Sequence, residues 1–326
     1  MKAIRIHRFG PPDVLQLEDV PDPRPAPGRI LIRVRAAGMN YADLLIREGR
    51  YPKLAALPYT PGYEAAGVVE ALGEGVEGPA VGTRVVAAVS APGTFAEYVE
   101  AEPAQVTEIP EGVGDEEALA LPVQALTAWL ALRIGGRVAP GDSVLIPAAA
   151  GGAGHLAVQL AKRLGAARVL AGASTKEKRD LALRLGADAA IDYTEGGWAD
   201  QVRAATDGRG ADVVFERSGG AHADESLRAL AKGGRLIVFG ADSLTEPRLS
   251  TEQLRGLLVQ GQAYAGFSLM ALPDGVRRAA LHELFAFVAA GALQVHVGAR
   301  FPLARAADAH RAMASRATSG KVVINL

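Results

Sequence analysis

The sequence feature that most constrains the fold is a glycine-rich turn between an apolar run and a helical run. Residues 143–148 are mostly apolar and predict a strand, and residues 155–164 have the periodicity of a helix. The turn between them, residues 149–154, is Ala-Ala-Gly-Gly-Ala-Gly, with Ala149 where dinucleotide-binding turns usually have glycine. Small residues let the backbone approach a diphosphate, whose charge is stabilised at the N-terminus of the following helix. The turn therefore predicts a dinucleotide-binding unit, because it lies between a predicted strand and a predicted helix.

The chain after about residue 110 supplies several further strands and helices around this turn. Helices are predicted at residues 116–133 and 176–185, besides the one that follows the turn. Further strands are predicted at residues 168–172, 189–191, 212–215, 235–240 and 262–267. This alternation is typical of a doubly wound parallel sheet, whose strands are buried on both faces.

The first third of the chain predicts β-structure with little helix. Strands separated by proline and glycine are predicted at residues 2–7, 15–20, 29–36, 65–72, 84–89 and 94–99, with one helix at 41–47. This pattern favours a compact β-barrel-like domain. The last elements are expected to return to that domain: a helix at 274–290, a strand near 294–300, a helix at 303–315 and a strand at 321–325. We therefore predict an α/β protein in which residues 1–118 and 268–326 form one domain and residues 119–267 an inserted one.

The composition excludes several kinds of chemistry. The 326 residues include no cysteine, so disulfides, iron–sulfur clusters, thiolate zinc sites and a cysteine nucleophile are excluded. The six histidines are scattered without metal-site spacing, and we predict no metal site. With 35 Lys and Arg against 36 Asp and Glu, the net charge of −1 gives no electrostatic reason to bind nucleic acid or an anionic membrane. No run reaches the roughly 18 apolar residues of a membrane span, and no signal peptide is recognised, so we expect a cytoplasmic location.

The end of the second predicted strand of the inserted domain indicates which dinucleotide is bound. Sites for NAD usually place Asp or Glu there, to bind the ribose 2′-hydroxyl. Here the strand ends on Ser174 and Thr175, and the cations Lys176, Lys178 and Arg179 follow. Because a 2′-phosphate needs donors and positive charge, NADPH is favoured over NADH. The alternative is that the three cations form a solvated helix face.

Several spaced motifs carry a resemblance that covers essentially the whole chain. Residues 149–162, 40–43, 49–52, 61–67 and 319–323 are similar to motifs of the quinone oxidoreductase (zeta-crystallin) branch of the medium-chain dehydrogenase/reductase superfamily. The resemblance implies a GroES-like β-rich catalytic domain with an inserted Rossmann domain. It also implies NADPH as hydride donor and a homodimer joined at the edge of the Rossmann sheet, which could pair further into a tetramer.

The same resemblance bears on metal chemistry. Zinc-dependent relatives hold a catalytic metal with Cys, His and Cys, and the matching positions here are Asn40, Tyr63 and Val123. None of these side chains is a useful zinc ligand, so we expect no catalytic zinc. Without a Lewis acid, a quinone or a conjugated carbonyl fits better than a simple ketone, because the incoming electron pair is delocalised.

The resemblance also implies roles for four catalytic candidates. Asn40 would donate an amide hydrogen to a substrate carbonyl, and its alternative role is that of a turn asparagine. Tyr51 would stack on or hydrogen-bond the substrate, or it is an aromatic residue at the edge of the core. Asp43 would orient its neighbours or cap a helix. Thr127 would hold the nicotinamide ring, or bond its own helix backbone. Glu64 is interpreted as a structural or supporting residue.

The cofactor-binding candidates lie in the turn and at the ends of later strands. They are Thr127, Ala150, Gly151, Gly152, Ala153, Gly154, Ser174, Lys178, Tyr193, Ser218, Phe239, Gly240 and Lys321. Among them, Ser174, Lys178 and Tyr193 are assigned to the 2′-phosphate by the resemblance. The sequence departs from the family at Glu216 and Arg217, which replace a run that usually contains Asp.

The leading hypothesis is an NADPH-dependent, zinc-free quinone oxidoreductase that acts on a small-molecule quinone or conjugated carbonyl in a cleft between the domains. One alternative is a 2-alkenal or enone reductase, which has the same donor but adds hydride to a carbon–carbon double bond. Another, of a different class, is an NADPH-binding structural or RNA-binding protein with little turnover. The near-zero net charge disfavours the RNA-binding role.

Overall fold

The structure, a computed structural model, describes residues 1–217, 220–240 and 249–326. Its contacts divide the chain into two compact units. Unit 1 is Met1–Val123 with Phe285–Leu326, and unit 2 is Gln124–Leu284. Both divisions lie later in the chain than the predicted boundaries after residues 118 and 267.

The described strands and helices follow one another in this order along the chain. The strands are β1 (Lys2–Arg5), β2 (Gln16–Asp19), β3 (Ile30–Met39), β4 (Glu64–Leu72), β5 (Arg84–Ala88), β6 (Tyr98–Ala101), β7 (Val106–Glu108), β8 (Ser143–Ile146), β9 (Arg168–Ala173), β10 (Ala189–Asp192), β11 (Ala211–Glu216), β12 (Leu230–Val238), β13 (Ala263–Gly266), β14 (Val297–Pro302) and β15 (Lys321–Asn325). The α-helices are α1 (Tyr41–Arg47), α2 (Asp115–Ala118), α3 (Leu126–Leu130), α4 (Gly154–Arg163), α5 (Lys176–Arg184), α6 (Trp198–Ala204), α7 (Gly220–Arg228), α8 (Thr251–Gln260), α9 (Asp274–Ala289) and α10 (Ala306–Ala314).

Unit 1 is built around one sheet in which β3 is central. The strand order is β14-β15-β3-β4-β5-β7, and β6 also pairs with β3. The long strand β3 pairs antiparallel with β15, β4 and β6, and nearly all its residues are buried. Ile30, Ile32 and Val34 pack against Val69 and Val85 in one core cluster, as β-branched residues do on a pleated surface. Because β4 and β15 run opposite to β3, their first residues flank its last ones.

Unit 2 contains a six-stranded parallel sheet of the order β10-β9-β8-β11-β12-β13. All four residues of β8 are buried, as expected for a strand covered on both faces. The order of the strands reverses between β8 and β11, and such a switch point opens a crevice at the carboxyl ends of the strands. The predicted α/β class is confirmed, with a β-rich unit 1 and a parallel sheet in unit 2.

Some elements match their predicted bounds, and others are displaced. The helix predicted at 41–47 is α1, and the strand predicted at 321–325 is β15. The strand predicted at 94–99 is wrong in position, since β6 spans Tyr98–Ala101. Its first residues instead bond to a distant loop: Thr94 N donates to Gly62 O at 3.3 Å, and Phe95 N to Pro61 O at 3.0 Å.

The helical stretch that joins the two units is irregular. The periodicity predicts one helix at 116–133, and the structure has α2 and α3 with π-helical turns at Leu121–Ala125 and Ala131–Gly135. Among the described residues, this stretch (Asp115–Gly135) is long and apolar enough to cross a membrane by length and composition. However, 72% of its most apolar 18 residues are buried inside the protein. Such burial is that of a core helix.

Candidate active site and dinucleotide turn

The turn after β8 begins with a residue in an unusual backbone conformation. Ala148 has a φ of 53°, in the left-handed region that costs a residue with a Cβ about 1–2 kcal/mol. The chain therefore reverses one residue before Ala149, which explains why alanine is tolerated in the place of the usual first glycine. Helix α4 then begins at Gly154, and no side chain among the described residues caps it. The backbone N–H groups of its first turn are the donors there for an anion.

The glycines of the turn are packed too closely for side chains. A Cβ on Gly154 would lie 2.2 Å from the carbonyl oxygen of Ala148, and one on Gly151 would lie 3.1 Å from the same oxygen. A Cβ on Gly152 would lie 2.6 Å from Nε2 of Gln124. A backbone without side chains, at a switch point and before an uncapped helix, fits the diphosphate of a dinucleotide.

The residues predicted to hold the 2′-phosphate lie at the carboxyl end of β9. Ser174 follows that strand and directly precedes Thr175, which caps α5 by accepting a hydrogen bond from the Lys178 backbone at 3.3 Å. Ser174 and Lys178 are both half-buried. The strand end therefore brings the two predicted residues into one tight turn, and their contact with a phosphate stays a prediction.

The other two cations of this segment are paired with carboxylates. Lys176 Nζ lies 2.7 Å from Asp180 Oδ2, and Arg179 Nη1 lies 2.7 Å from Asp192 Oδ2. The Lys176 pair is exposed and the Arg179 pair partly so. The interpretation as a solvated, ion-paired helix face therefore describes Lys176 well.

Tyr193 packs against the end of β9. A Cβ on Gly172 would lie 2.8 Å from Cδ1 of Tyr193, so the glycine leaves room for the tyrosine ring. The ring also meets His222 edge to face, with centroids 5.1 Å apart. The ring therefore lies beside Gly172, which is two residues before Ser174, and its role at the 2′-phosphate stays a prediction.

The remaining candidates of unit 2 have separate positions. Phe239 follows β12 and packs on Phe215 with ring centroids 3.8 Å apart, and Gly240 has a φ of 89°. Thr127 is half-buried on α3, among buried neighbours. Ser218 lies outside the described residues. The cofactor roles of these residues stay predictions.

In unit 1, Asn40 stands at the start of α1 and is held from two sides. Its backbone N–H donates to Asp43 Oδ2 at 2.7 Å, and the Asp43 N–H donates to the Asn40 carbonyl at 3.0 Å. Its amide Nδ2 donates to Glu64 Oε2 at 2.9 Å. Because a carboxylate only accepts hydrogen bonds, Glu64 determines which end of the Asn40 amide faces it.

Glu64 is in turn ion-paired with Lys321, and both side chains are 0% exposed. Glu64 opens β4 and Lys321 opens β15, on either side of Gly38 in the central strand β3. A Cβ on Gly38 would lie 2.4 Å from Glu64 Oε2 and 2.8 Å from Lys321 Nζ, so the glycine makes room for the ion pair. The Lys321 ammonium thus has a partner inside unit 1, and its contact with a cofactor stays a prediction.

Two side chains in and beside this network, Asp43 and Tyr63, have shifted pKa values. Burial raises the pKa of Asp43 to about 7, and the nearby Glu64 charge adds to the shift while the Asn40 N–H and Lys321 oppose it. Burial raises the pKa of Tyr63 to about 12, with smaller contributions from Asp43 and Tyr51. Tyr51 is half-buried against the same core. The Tyr63 hydroxyl is therefore a neutral donor over the working pH range.

At the other end of α1, Arg47 and His310 form a buried pair. Arg47 is 2% exposed, donates from Nε to the Gly10 carbonyl at 3.0 Å, and has Nη1 3.3 Å from His310 Nδ1. Because the guanidinium donates to Nδ1, His310 is neutral. Burial, together with the Arg47 charge, lowers the pKa of His310 to about 3. Among the described residues, His310 Nε2 has no hydrogen-bond partner.

His310 and Asp43 make opposite contributions to stability as the pH changes. The unfolded chain protonates His310 below its ordinary pKa of 6.5, and the folded chain only near 3, so His310 destabilises the fold as the pH falls through that window. Asp43 is protonated in the folded chain up to a pKa of about 7 and in the unfolded chain only up to 3.8, so it destabilises the fold as the pH rises.

We therefore expect His310→Gln to change the slope of stability against pH between 4 and 6.5 by about 1 kcal/mol per pH unit. With the histidine removed, the Asp43 contribution is no longer opposed, and acidification in this window should stabilise the variant relative to the wild type. Urea unfolding followed by circular dichroism across this range measures the slope. Parallel pH profiles for the two proteins would contradict the assignment.

Comparisons with known proteins agree with this site. Sequence-family models described as "Alcohol dehydrogenase GroES-like domain" and "Zinc-binding dehydrogenase" match residues 26–111 and 185–324. A quinone oxidoreductase of Sus scrofa is 33% identical over 328 residues, which cover 100% of this chain and 98% of that protein. Among solved structures, an Escherichia coli quinone oxidoreductase complexed with NADPH has a TM-score of 0.92 at 31% identity. A Thermus thermophilus quinone oxidoreductase, solved alone and with NADPH, has a TM-score of 0.85 at 39% identity. In both comparisons the aligned region covers 100% of this chain and 100% of the other chain.

The fold and the site define an oxidoreductase of the medium-chain dehydrogenase/reductase superfamily. Within that superfamily, the chain belongs to the quinone oxidoreductase family. The resemblance predicted from the motifs is thereby confirmed.

The structure brings together some of the predicted residues and adds others. Asn40, Asp43 and Glu64 form one hydrogen-bonded group, and the residues of the turn form a second in unit 2. Sequence reasoning missed Gln124, which lies against the turn at Gly152 and carries no motif of its own.

Proposed function

We propose that this protein transfers hydride from NADPH to a quinone or another conjugated carbonyl, without a catalytic metal. The observation that carries the proposal is the Asn40 amide, which is oriented by a buried carboxylate at the position where zinc-dependent relatives have a ligand. Asn40 donates a hydrogen bond to the substrate carbonyl oxygen, where negative charge develops during the reaction. Tyr51 and Tyr63 provide an aromatic surface for a planar substrate beside it.

The cofactor is NADPH, which supplies the hydride when bound. The turn residues Gly152 and Gly154 hold its diphosphate through backbone N–H groups, while the Gly151 N–H closes the turn by donating to the Ala148 carbonyl at 2.8 Å. Ser174 and Lys178 bind the 2′-phosphate, because the end of β9 offers a hydroxyl and an ammonium group instead of a carboxylate.

The proposal that no zinc takes part rests on the side chains available. The chain has no cysteine, and the described residues contain no group of three or more His, Cys, Asp or Glu that could hold a metal ion. Glu64, the carboxylate nearest Asn40, already balances the charge of Lys321. A hydrogen bond stabilises an oxyanion less than a Lewis acid does, so the substrate has to delocalise the incoming charge itself.

Turnover assays with NADPH test this proposal directly. We expect turnover of 1,2-naphthoquinone by the wild type, about 100-fold slower turnover by Asn40→Ala, as when one oxyanion donor is lost, and no effect of a chelator. Turnover of a 2-alkenal but of no quinone would replace the proposal by the carbon–carbon double-bond reductase. Failure to turn over either would favour a binding protein.

Lys178→Ala tests the assignment of the 2′-phosphate. Removing one charge-assisted contact to a phosphate costs about tenfold in affinity. We therefore expect the dissociation constant for NADPH to rise about tenfold and that for NADH to stay unchanged. The exposed Lys176→Ala is the matched control, because its ammonium is paired with Asp180. Equal losses for NADPH and NADH in Lys178→Ala would contradict the assignment.

We further propose a cytoplasmic homodimer. Helix α8, which precedes the edge strand β13, exposes Leu254, Leu258 and Val259 by 53%, 82% and 74%. Apolar side chains next to a strand that forms the sheet edge in the described part of the chain favour a second copy of the chain as their cover. Sedimentation of the wild type checks the dimer, and a monomer at micromolar concentration would contradict it.

A further inference from the structure

We infer that Arg217, which no motif assigns to the site, binds the diphosphate of the dinucleotide. The inference rests on the proposed use of NADPH and concerns unit 2 alone. It begins from residues 216–217, where the chain carries Glu and Arg in place of the family's usual Asp-containing run.

The topology places Arg217 opposite the glycine-rich turn. Strand β11 is the parallel neighbour of β8, with Val213 aligned to Val144 and Val214 to Leu145. Arg217 directly follows β11, as the turn directly follows β8. The strand order reverses between these two strands, so the two segments form opposite sides of the crevice in which a dinucleotide lies.

The side chain of Arg217 reaches across that crevice. Its Nη1 lies 3.8 Å from the position that a Cβ on Gly151 would occupy. On its other side, a Cβ on Gly240 would lie 3.4 Å from the Arg217 Cβ, so the absence of a side chain at Gly240 leaves room for Arg217. The guanidinium therefore lies beside Gly151, within the glycine-rich turn.

The adjacent acid does not oppose this role. Glu216 is 1% exposed and accepts a hydrogen bond from the Ser226 hydroxyl, so its carboxylate lies inside unit 2. The side chains of Glu216 and Arg217 therefore lie apart, with the carboxylate buried and the guanidinium at the crevice.

A guanidinium suits a diphosphate in charge and in shape. Its planar N–H groups match two phosphate oxygens, and its full charge adds to the partial charge of the α4 N-terminus. Lys178 lies at the end of β9, on the other side of β8 from Arg217. Arg217 should therefore serve NADPH and NADH equally, whereas Lys178 should distinguish them.

Calorimetric binding of NADPH, NADH and adenosine 2′-monophosphate (2′-AMP) to Arg217→Met tests the inference without any substrate. We expect the dissociation constants for both dinucleotides to rise by the same factor of about ten, and that for 2′-AMP, which has neither phosphate of the diphosphate, to stay unchanged. Lys178→Ala is the matched control and should give the opposite pattern, with losses for NADPH and 2′-AMP only.

Arg217→Gln is measured in parallel, and circular dichroism checks that each variant is folded. If one variant misfolds, the binding data of the other still test the inference. Unchanged affinity for NADPH would overturn the inference, and so would an equal loss for 2′-AMP. Because no turnover is measured, failure to reduce a quinone does not affect this result.

Discussion

Lys321→Met is expected to lower the free energy of unfolding by about 3–5 kcal/mol. Lys321 and Glu64 are completely buried, and the substitution leaves the Glu64 carboxylate without a counter-charge. Oε1 of Glu64 has no hydrogen-bond partner among the described residues, so the Asn40 amide at Oε2 is the contact that remains for that charge. Urea unfolding followed by circular dichroism measures the effect. Tryptophan fluorescence would not report on unit 1, because both tryptophans, Trp129 and Trp198, lie in unit 2.

The double variant Lys321→Met/Glu64→Gln separates the loss of an ion pair from the loss of packing. It removes both charges and keeps an oxygen that accepts from Asn40, so we expect it to recover most of the lost stability. Lys2→Met is the matched control, because Lys2 is paired with Asp19 on the exposed surface and should cost less than about 1 kcal/mol. Equal losses for Lys321→Met and Lys2→Met would contradict the buried-pair assignment.

The same pair shows why part of the site could not be predicted from the sequence. The start of α1 is a local feature, because Asn40 and Asp43 are three residues apart and cap the helix between them. The bounds of α1 were therefore predictable. Glu64 and Lys321 are 257 positions apart, and they meet only because β4 and β15 both pair with β3 across Gly38. No periodicity or spacing in the sequence carries that information.

The glycine-rich turn shows the opposite case, since its sequence and its neighbours in the chain determine most of its structure. The apolar β8, the small residues and the periodic α4 are consecutive, so they predicted a dinucleotide turn. What the sequence could not place is the opposite side of the crevice, where Arg217 approaches Gly151 from another strand. The strand predicted at 94–99 failed for the same physical reason, because its first residues bond to residues 61–62 rather than to a neighbouring strand.

Gly154→Ala is expected to weaken NADPH binding by about 100-fold, the cost of displacing bound groups by roughly 1 Å. The new Cβ would lie 2.2 Å from the Ala148 carbonyl oxygen and 2.9 Å from the Ala149 Cα, and backbone atoms cannot move aside as a side-chain end can. The turn has to shift away from the helix, which should also cost about 1–3 kcal/mol of stability. Calorimetric titration with NADPH measures the loss of affinity.

Two other glycines make a graded series with the same substitution. Gly152→Ala meets only the side-chain end of Gln124, at 2.6 Å, so we expect a smaller loss of NADPH affinity than for Gly154→Ala. Gly256→Ala lies in α8 with nothing within 4 Å of the new Cβ, and it should raise stability by about 0.5–1 kcal/mol without changing NADPH binding. If the three variants bound NADPH equally well, close approach of the backbone would not be what the turn contributes. We expect the loss of NADPH affinity to be largest for Gly154→Ala, smaller for Gly152→Ala and absent for Gly256→Ala. That order would show that the distance from the new Cβ to the nearest rigid atom decides how well the turn binds NADPH.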